Sequence, residues 1–327
     1  MAEPVVSIIV NNYNYGRFLA AAIDSALAQD YPACEVIVVD DGSTDDSRQV
    51  IARYGHEVCA VLKRNGGQGS AFNAGLAISR GRVVHFLDAD DTLHPDAAAR
   101  AVEALSDPSV CQFLAPLDLI DADGARTGAI FPDHELPSGD LKERALGYGP
   151  WAYQVVPTSG NFWARWYLEK VMPIPEERFL VGGDEYLSAI AALYGRLASD
   201  RRTIGCYRGH GANVYWRARL GVEDVADDAF YFERISALIA EHADRLGLAV
   251  DPSRWLDSDW RQQVRQVVLH RAGRRPGRPA PAQVLRAVWR DQTRPHRKAV
   301  LMPAVAAMLA LPHWPSLALG LKLLGRR

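Results

Sequence analysis

The chain has 327 residues, 48 % hydrophobic and 23 % charged, a balance that excludes a disordered or fibrous protein. The formal net charge of −2 is unevenly placed: residues 261–327 carry 14 Lys and Arg against a single acid, Asp291, whereas residues 1–260 carry 23 against 38 Asp and Glu. The four cysteines, Cys34, Cys59, Cys111 and Cys206, are scattered with no CxxC pair, which argues against a disulfide scaffold or a cysteine zinc site and fits a reducing compartment.

Met1-Ala2-Glu3-Pro4 has no basic run ahead of its apolar stretch and does not read as a signal peptide. Val5–Val10 is a short β-branched run that ends in Asn11-Asn12, the pattern of a buried parallel strand. Residues 15–28 place Phe18, Leu19, Ala22, Ile23, Ala26 and Leu27 on one face of a helix. Glu35–Val39 reads as a second strand with Asp40-Asp41-Gly42-Ser43 as its C-terminal turn, and Thr44 or Asp45 is placed to cap the next helix. Val58–Leu62 reads as a strand, residues 69–79 as a helix and Val83–Leu87 as a strand running into Asp88-Ala89-Asp90-Asp91. Thr92-Leu93-His94-Pro95 then leads into a helix at Asp96.

Alternating strands and helices, with polar residues where strands end, predict an α/β fold with a largely parallel sheet. Ligands of such sheets bind beyond the carboxyl ends of the strands. A single pocket receiving Asn11 and Tyr13, Asp40 and Asp41, and Asp88 and Asp90 follows from that geometry. Gly67-Gln68-Gly69 lacks the third glycine of a dinucleotide fingerprint, which disfavours a nicotinamide site. Two carboxylates at i and i+2 past an apolar strand suit Mg²⁺ or Mn²⁺ with a substrate diphosphate, or equally a helix N-cap.

Residues 110–220 are mixed. They hold an aromatic cluster of Trp151, Tyr153, Trp163, Trp166 and Tyr167, in which Trp151, Tyr153, Trp163 and Trp166 either form core or offer exposed rings for stacking. From Glu223 to about Arg271 the pattern is helical, and residues 273–281 have a linker composition. Residues 281–294 form a basic amphipathic helix, and residues 299–311 and 316–324 are short apolar stretches interrupted by Pro303, Pro312 and Pro315. None reaches the ~20 apolar residues of a membrane span. The tail fits an interfacial helix pair on an anionic membrane, with Trp289 and Trp314 at the boundary, or a helical subdomain packed on protein. Its basic charge comes with no nucleic-acid recognition motif, so nucleic acid is not expected as a partner.

Ser7–Asn14, Val38–Asp45, Asn65-Gly66-Gly67 with Asn73-Ala74-Gly75, and Gly81 with Phe86–Asp91 resemble, in order and spacing, the motifs of family 2 inverting glycosyltransferases of the GT-A fold. A weaker match continues through Gly182-Gly183-Asp184-Glu185 and Tyr207-Arg208-Gly209-His210. The resemblance implies a GT-A domain over residues 1–220 (1–110 nucleotide-sugar-binding, 111–220 acceptor-binding), followed by a helical, basic extension over 221–327. It implies Asn11 and Tyr13 along the nucleotide base, Asp41 contacting that base with Asp40 in support, and Gly67, Asn73, Asp88 and Ala89 around the donor. Asp90, with Asp88 and His210, is implied as the Mn²⁺ or Mg²⁺ site, and Asp184 as the base with Glu185 as its rival. Trp151 and Ser159 are expected on the acceptor side. The implied partners are a nucleoside-diphosphate sugar and a glycan or lipid-linked acceptor, in the cytoplasm or on the inner face of its membrane, with oligomerisation left open. A protein that keeps the fold for binding without catalysis is the alternative. The family often has Arg before the Asn of the third motif; here that position is Phe72, which leaves Arg64 or Arg80 to replace it. The Trp-rich stretch of processive members is absent, which points to transfer of one sugar.

Overall fold

The computed structural model describes residues 4–210, 222–258, 260–274, 279–290, 295–311, 318–320 and 323–324. The tail positions Asp291, Arg294, Pro312, Trp314 and Pro315, and the stretch 275–278 of the expected linker, lie outside the described residues. The chain divides into two compact units, Met1–Glu143 with Tyr153–Asn213, and Arg144–Ala152 with Val214–Arg327.

The first unit runs β1 (Val6–Asn12), α1 (Gly16–Leu27), β2 (Cys34–Asp40), α2 (Ser47–Ala52), β3 (Cys59–Leu62), α3 (Gln68–Ile78), β4 (Val83–Asp88), β5 (Thr92–Leu93) and α4 (Ala97–Ala104). It continues through β6 (Val110–Leu114), β7 (Leu117–Ile120), β8 (Arg126–Phe131), α5 (Lys142–Tyr148, which leads into the second unit), β9 (Asn161–Ala164), α6 (Arg165–Val171), α7 (Gly183–Tyr194), β10 (Arg196–Ser199) and β11 (Gly205–Arg208). The main sheet has the order β10-β6-β9-β4-β1-β2-β3 and is parallel except for β9, which runs antiparallel to both neighbours. A smaller sheet has the order β5-β11-β7-β8. This is the expected α/β fold with a largely parallel sheet. Thr92–Leu93 departs from the expectation of a helix entrance: it pairs as a strand with Gly205–Cys206, and the helix begins at Ala97.

β1 is central, and Val6, Ile8, Ile9 and Val10 are wholly buried. Burial on both faces explains a continuous apolar run where a half-exposed strand would alternate. Val6, Ile8 and Val10 pack with Leu19, Ala22, Ile23 and Ala26 of α1 and Ala97, Ala98 and Ala101 of α4. On Ile9, α3 lies so close that a Cβ at Gly75 would stand 2.4 Å from the Ile9 Cγ2 and 3.2 Å from the Val39 Cγ2. Trp163 and Tyr167 are core, not surface: they are 1 % and 0 % exposed and their rings stack at 5.7 Å.

The second unit holds α8 (Val222–Arg245), α9 (Pro252–Ser258), α10 (Trp260–Arg271), α11 (Pro281–Arg290) and α12 (Pro295–Ala310). Val284 and Val288 of α11 are wholly buried with Trp260, Val264, Val268, Val305 and Met308. The apolar face expected on a lipid surface is therefore engaged by protein, and Trp289 alone of that helix's large apolar residues stays exposed, at 69 %. No helix among the described residues is long and apolar enough to cross a membrane.

Gly75→Ala should force α3 off the sheet. Overpacking of this kind costs about 1–3 kcal/mol, read as a lower urea midpoint with an unchanged m-value.

Candidate active site

β1, β2 and β4 are adjacent, parallel and in register, with Asn11 beside Asp88 and Asn12 beside Asp40. Their C-terminal turns therefore emerge together. The Asn11 amide donates to the Leu87 carbonyl at 2.9 Å and to Asp88 Oδ1 at 3.0 Å. Asn11 thus serves Asp88, and the Ala89 N–H returns to the Asn11 carbonyl at 3.2 Å. Tyr13, next along the chain, is 46 % exposed. Its turn is held to the one after β2, since Asn12 Nδ2 and the Asn14 N–H both donate to Ser43 Oγ, and the Thr44 N–H donates to Asn14 Oδ1 at 2.7 Å. Asp45 accepts from the Gly16 and Ser47 N–H groups, so it ties down the starts of α1 and α2 together.

Asp40 is buried and accepts from Asn12 and from Arg48, whose Nε lies 2.9 Å away. Asp41 is also buried. It accepts from the N–H groups of Gly66 and Gly67, the latter at 2.7 Å, and pairs with Lys63 Nζ at 2.6 Å. The glycine-rich turn thus wraps a carboxylate of the protein itself. Gly67 has a φ of +85°, and a Cβ there would meet the Leu180 carbonyl oxygen at 2.4 Å, so only glycine fits.

Gln68 follows. Its Oε1 accepts from the N–H groups of Gly182 and Gly183 at 3.0 and 2.9 Å, and its Nε2 points at Asp88 Oδ1 and Thr158 Oγ1, both at 3.4 Å. It therefore joins the start of α7, which carries Asp184 and Glu185 in its first turn, to the end of β4. The Thr158 hydroxyl lies within hydrogen-bonding reach of both Asp88 and Asp184. Asp88, Asp90 and Asp184 are all partly buried. Burial, with the Asp90 charge beside it, pushes Asp88 up to about 6. Burial, with Glu185 and then Asp88 nearby, pushes Asp184 up to about 8. These shifts mark a site that favours an added cation or a retained proton.

Asp90 Oδ2 lies 2.8 Å from the Nε2 of His210, whose side chain is fully enclosed between the Tyr15 and Phe18 rings. Asp91 is buried and accepts from Ser159 Oγ at 2.7 Å and the Arg208 N–H at 3.0 Å. Ser159, expected on the acceptor side, is itself fully buried and accepts the Asp88 N–H, so it braces this loop. Asn73, expected near the donor, has both amide atoms on the Ile174 backbone. Trp151 belongs to a 3-10 turn of the second unit, and its side chain lies outside the described residues.

Phe72 is fully buried and stacks on Phe86 at 4.0 Å. Arg80 does not stand in for the absent arginine. It pairs with Glu35 near the start of β2, the opposite end of the strands. No role follows from sequence for Lys63, Gln68, Asp91 or Arg208, and Thr158, in a segment expected as an acceptor loop, instead faces the acidic residues. Arg208 belongs to the Tyr207–His210 motif, but its guanidinium bond to the Asp90 carbonyl at 2.8 Å needs three-dimensional proximity to be seen.

Asp90 and His210 stand together as a carboxylate and an imidazole, donors that a hard or borderline divalent cation accepts, whereas Asp88, expected as a further ligand, does not join them in one ligand cluster among the described residues. The mutual repulsion of Asp88 and Asp90 is what such a cation would relieve. Asp184, joined to the same strand end through Thr158 and through the Gln68 bonds to Gly182 and Gly183, is a carboxyl group placed where it could accept a proton.

The family model "Glycosyl transferase family 2" matches residues 7–129. An uncharacterised glycosyltransferase of Nostoc is 37 % identical over 218 residues, covering 65 % of this chain and 67 % of that protein. The succinoglycan biosynthesis protein ExoO of Rhizobium meliloti is 37 % identical over 135 residues, 41 % of this chain and 38 % of that one. Among solved structures, Staphylococcus aureus TarS 1–349 in complex with UDP-GlcNAc aligns with a TM-score of 0.51 at 16 % identity, over 93 % of this chain and 91 % of that one. Mannosyltransferase PcManGT of Pyrobaculum calidifontis, with GDP-Man and Mn²⁺, aligns with a TM-score of 0.52 at 20 % identity, over 98 % and 85 %. These structural likenesses show the fold.

A carboxyl group that holds its proton more tightly folded than unfolded stabilises the fold at low pH and loses that contribution as pH rises through its folded value. Asp184→Asn should therefore raise the melting temperature of the metal-free chain relative to wild type, with a gain larger at about pH 9 than at about pH 5. Differential scanning fluorimetry across that range checks it; an equal gain at both ends would deny the strained carboxyl.

Proposed function

The chain belongs to glycosyl transferase family 2, and from that premise we propose that it transfers one sugar from a nucleoside-diphosphate donor to a hydroxyl of a glycan or lipid-linked acceptor, with inversion and with help from a divalent cation. The observation that carries the reading is the shared reach of Thr158 and Gln68, which brings Asp184 on α7 beside Asp88 at the end of β4.

On this reading Tyr13, exposed past β1, lies along the base. The Asp41–Gly67 turn shapes the wall behind it, and Asp40 with Arg48 supports that wall. Asp88, fixed by Asn11 and Gln68, faces the ribose or sugar. Asp90 and His210, with Asp88, would hold Mn²⁺ or Mg²⁺. Such an ion supplies a counter-charge for the leaving diphosphate. Asp184 takes the proton of the attacking hydroxyl at a carboxylate oxygen. Its raised affinity for protons suits a base that works late in the attack, and Thr158 and Gln68 keep it aimed at the donor. Attack from the side opposite the diphosphate inverts the anomeric centre. Ser159 acts through Asp91 and the Asp88 backbone, not on the acceptor directly. The likeness to ExoO, which is named for succinoglycan biosynthesis, supports a place in polysaccharide assembly. The anionic-membrane partner now rests on exposed Trp289 and the basic charge of the second unit.

Calorimetry with uridine, guanosine and thymidine diphosphates, with and without Mn²⁺, should show one nucleotide binding well only with the ion. Asp90→Ala should weaken ion and nucleotide binding together. Asp184→Asn should keep nucleotide binding and lose about 10²–10⁴-fold in turnover, the usual worth of a general base. Full turnover in Asp184→Asn moves the base to Glu185. A wild-type chain that binds nucleotide sugar and transfers nothing to any acceptor marks a binding protein instead.

A further inference from the structure

The smaller sheet carries a second set of donor atoms, none of them among the residues proposed to hold the donor. Cys206 on β11 is the register partner of Asp118 on parallel β7, so both side chains leave the same face of the sheet. Cys206 also pairs across to Thr92 of β5, and His94 follows two residues on. The outcome is a cluster of one imidazole nitrogen, one carboxylate oxygen and one sulfur, all within 4.8 Å of one another. His94 Nε2 and Asp118 Oδ2 are 3.1 Å apart, and both side chains are about one-fifth exposed, at 20 % and 18 %. The Cys206 thiol is free and nearly buried.

We propose that His94, Asp118 and Cys206 form a structural site for a borderline divalent cation of the zinc class, independent of the proposed donor-site metal. The donor set decides the class. Mg²⁺ and Ca²⁺ prefer oxygen throughout, whereas one thiolate, one imidazole and one carboxylate suit zinc. From the usual zinc bond lengths, tetrahedral ligands stand roughly 3.3–3.6 Å apart, so closing the cluster needs about 1 Å of rotamer adjustment. Cys206 binds as thiolate and releases its proton to solvent. The fourth position falls to water, or to the Thr203 hydroxyl 3.4 Å from His94 Nε2. Arg126, 67 % exposed and 3.5 Å from Asp118, is the counter-ion the metal replaces, and its exposure lets it swing away.

The consequence reaches the cleft. β5 begins directly after Asp91, and β11 ends two residues before His210. A cation clamping β5, β7 and β11 would fasten both flanks of the loop that holds Asp90.

The test titrates the full chain with Co²⁺, whose spectrum reports its ligands. One equivalent should bring a thiolate-to-cobalt band in the near ultraviolet with the visible bands of tetrahedral cobalt, and Zn²⁺ should displace it. Cys206→Ala should abolish the thiolate band. Asp90→Ala, which removes no ligand of this site, should keep it. Losing outer-shell partners already costs about 10–100-fold in metal affinity, so Asp118→Asn should weaken Zn²⁺ binding by at least about 100-fold. Circular dichroism checks that each variant is folded. Should Cys206→Ala unfold, His94→Gln, at a partly exposed position, must lose the tetrahedral visible bands. No thiolate band from wild type in metal excess, or a band that survives Cys206→Ala, overturns the proposal.

Discussion

Asp90 acts against the charge of Asp88, both act against Asp91, and Glu185 and Asp88 act against Asp184, where water is partly excluded, and the polar contacts of this rim are arranged around that repulsion. Asp88 is held by Asn11, Gln68 and Thr158, and Asp91 by Ser159 and the Arg208 backbone. Asp90 meets His210, and Arg208 grips its carbonyl. The compensation is incomplete. Asp88 and Asp184 stay shifted upward, and burial with the charges of Asp90 and Asp88 drives Asp91 well above the usual carboxylate range. Charge left unbalanced in this way destabilises the fold and marks a cleft suited to a ligand.

The sheet makes the crowding unavoidable. Parallel strands in register end together, so polar residues just past β1, β2 and β4 share one rim. Pairing of Thr92 with Cys206 ties the exit of the Asp90 loop to the strand that delivers His210. The first unit therefore couples two stretches more than a hundred residues apart through a two-residue strand.

The parallel half of the fold was legible because buried strands write continuous apolar runs and α1 writes a single apolar face. β5 was not, because two residues carry no period and Thr92–Leu93 pairs only with a distant partner. The acidic residues could be found from their positions after strands. Their supports could not: Gln68 touches Gly182, more than a hundred positions away, and Ser159 touches Asp91 across 68. Asn73 stood inside a motif, yet its amide holds Ile174, because a motif marks a place in the fold before it marks a contact. Trp163 belonged to a cluster whose core and surface readings sequence could not separate; only the packing on Tyr167 decides.

Phe72 has a kinetic corollary. Where the resemblance implies an arginine, this chain keeps a neutral ring locked against Phe86. A diphosphate approaching the rim therefore finds no counter-charge at this position. On the proposed reading, free nucleotide is turned away and the nucleotide–cation complex admitted. Binding would then be sequential, cation first or the two together, with an on-rate that follows the concentration of the complex and not that of total nucleotide.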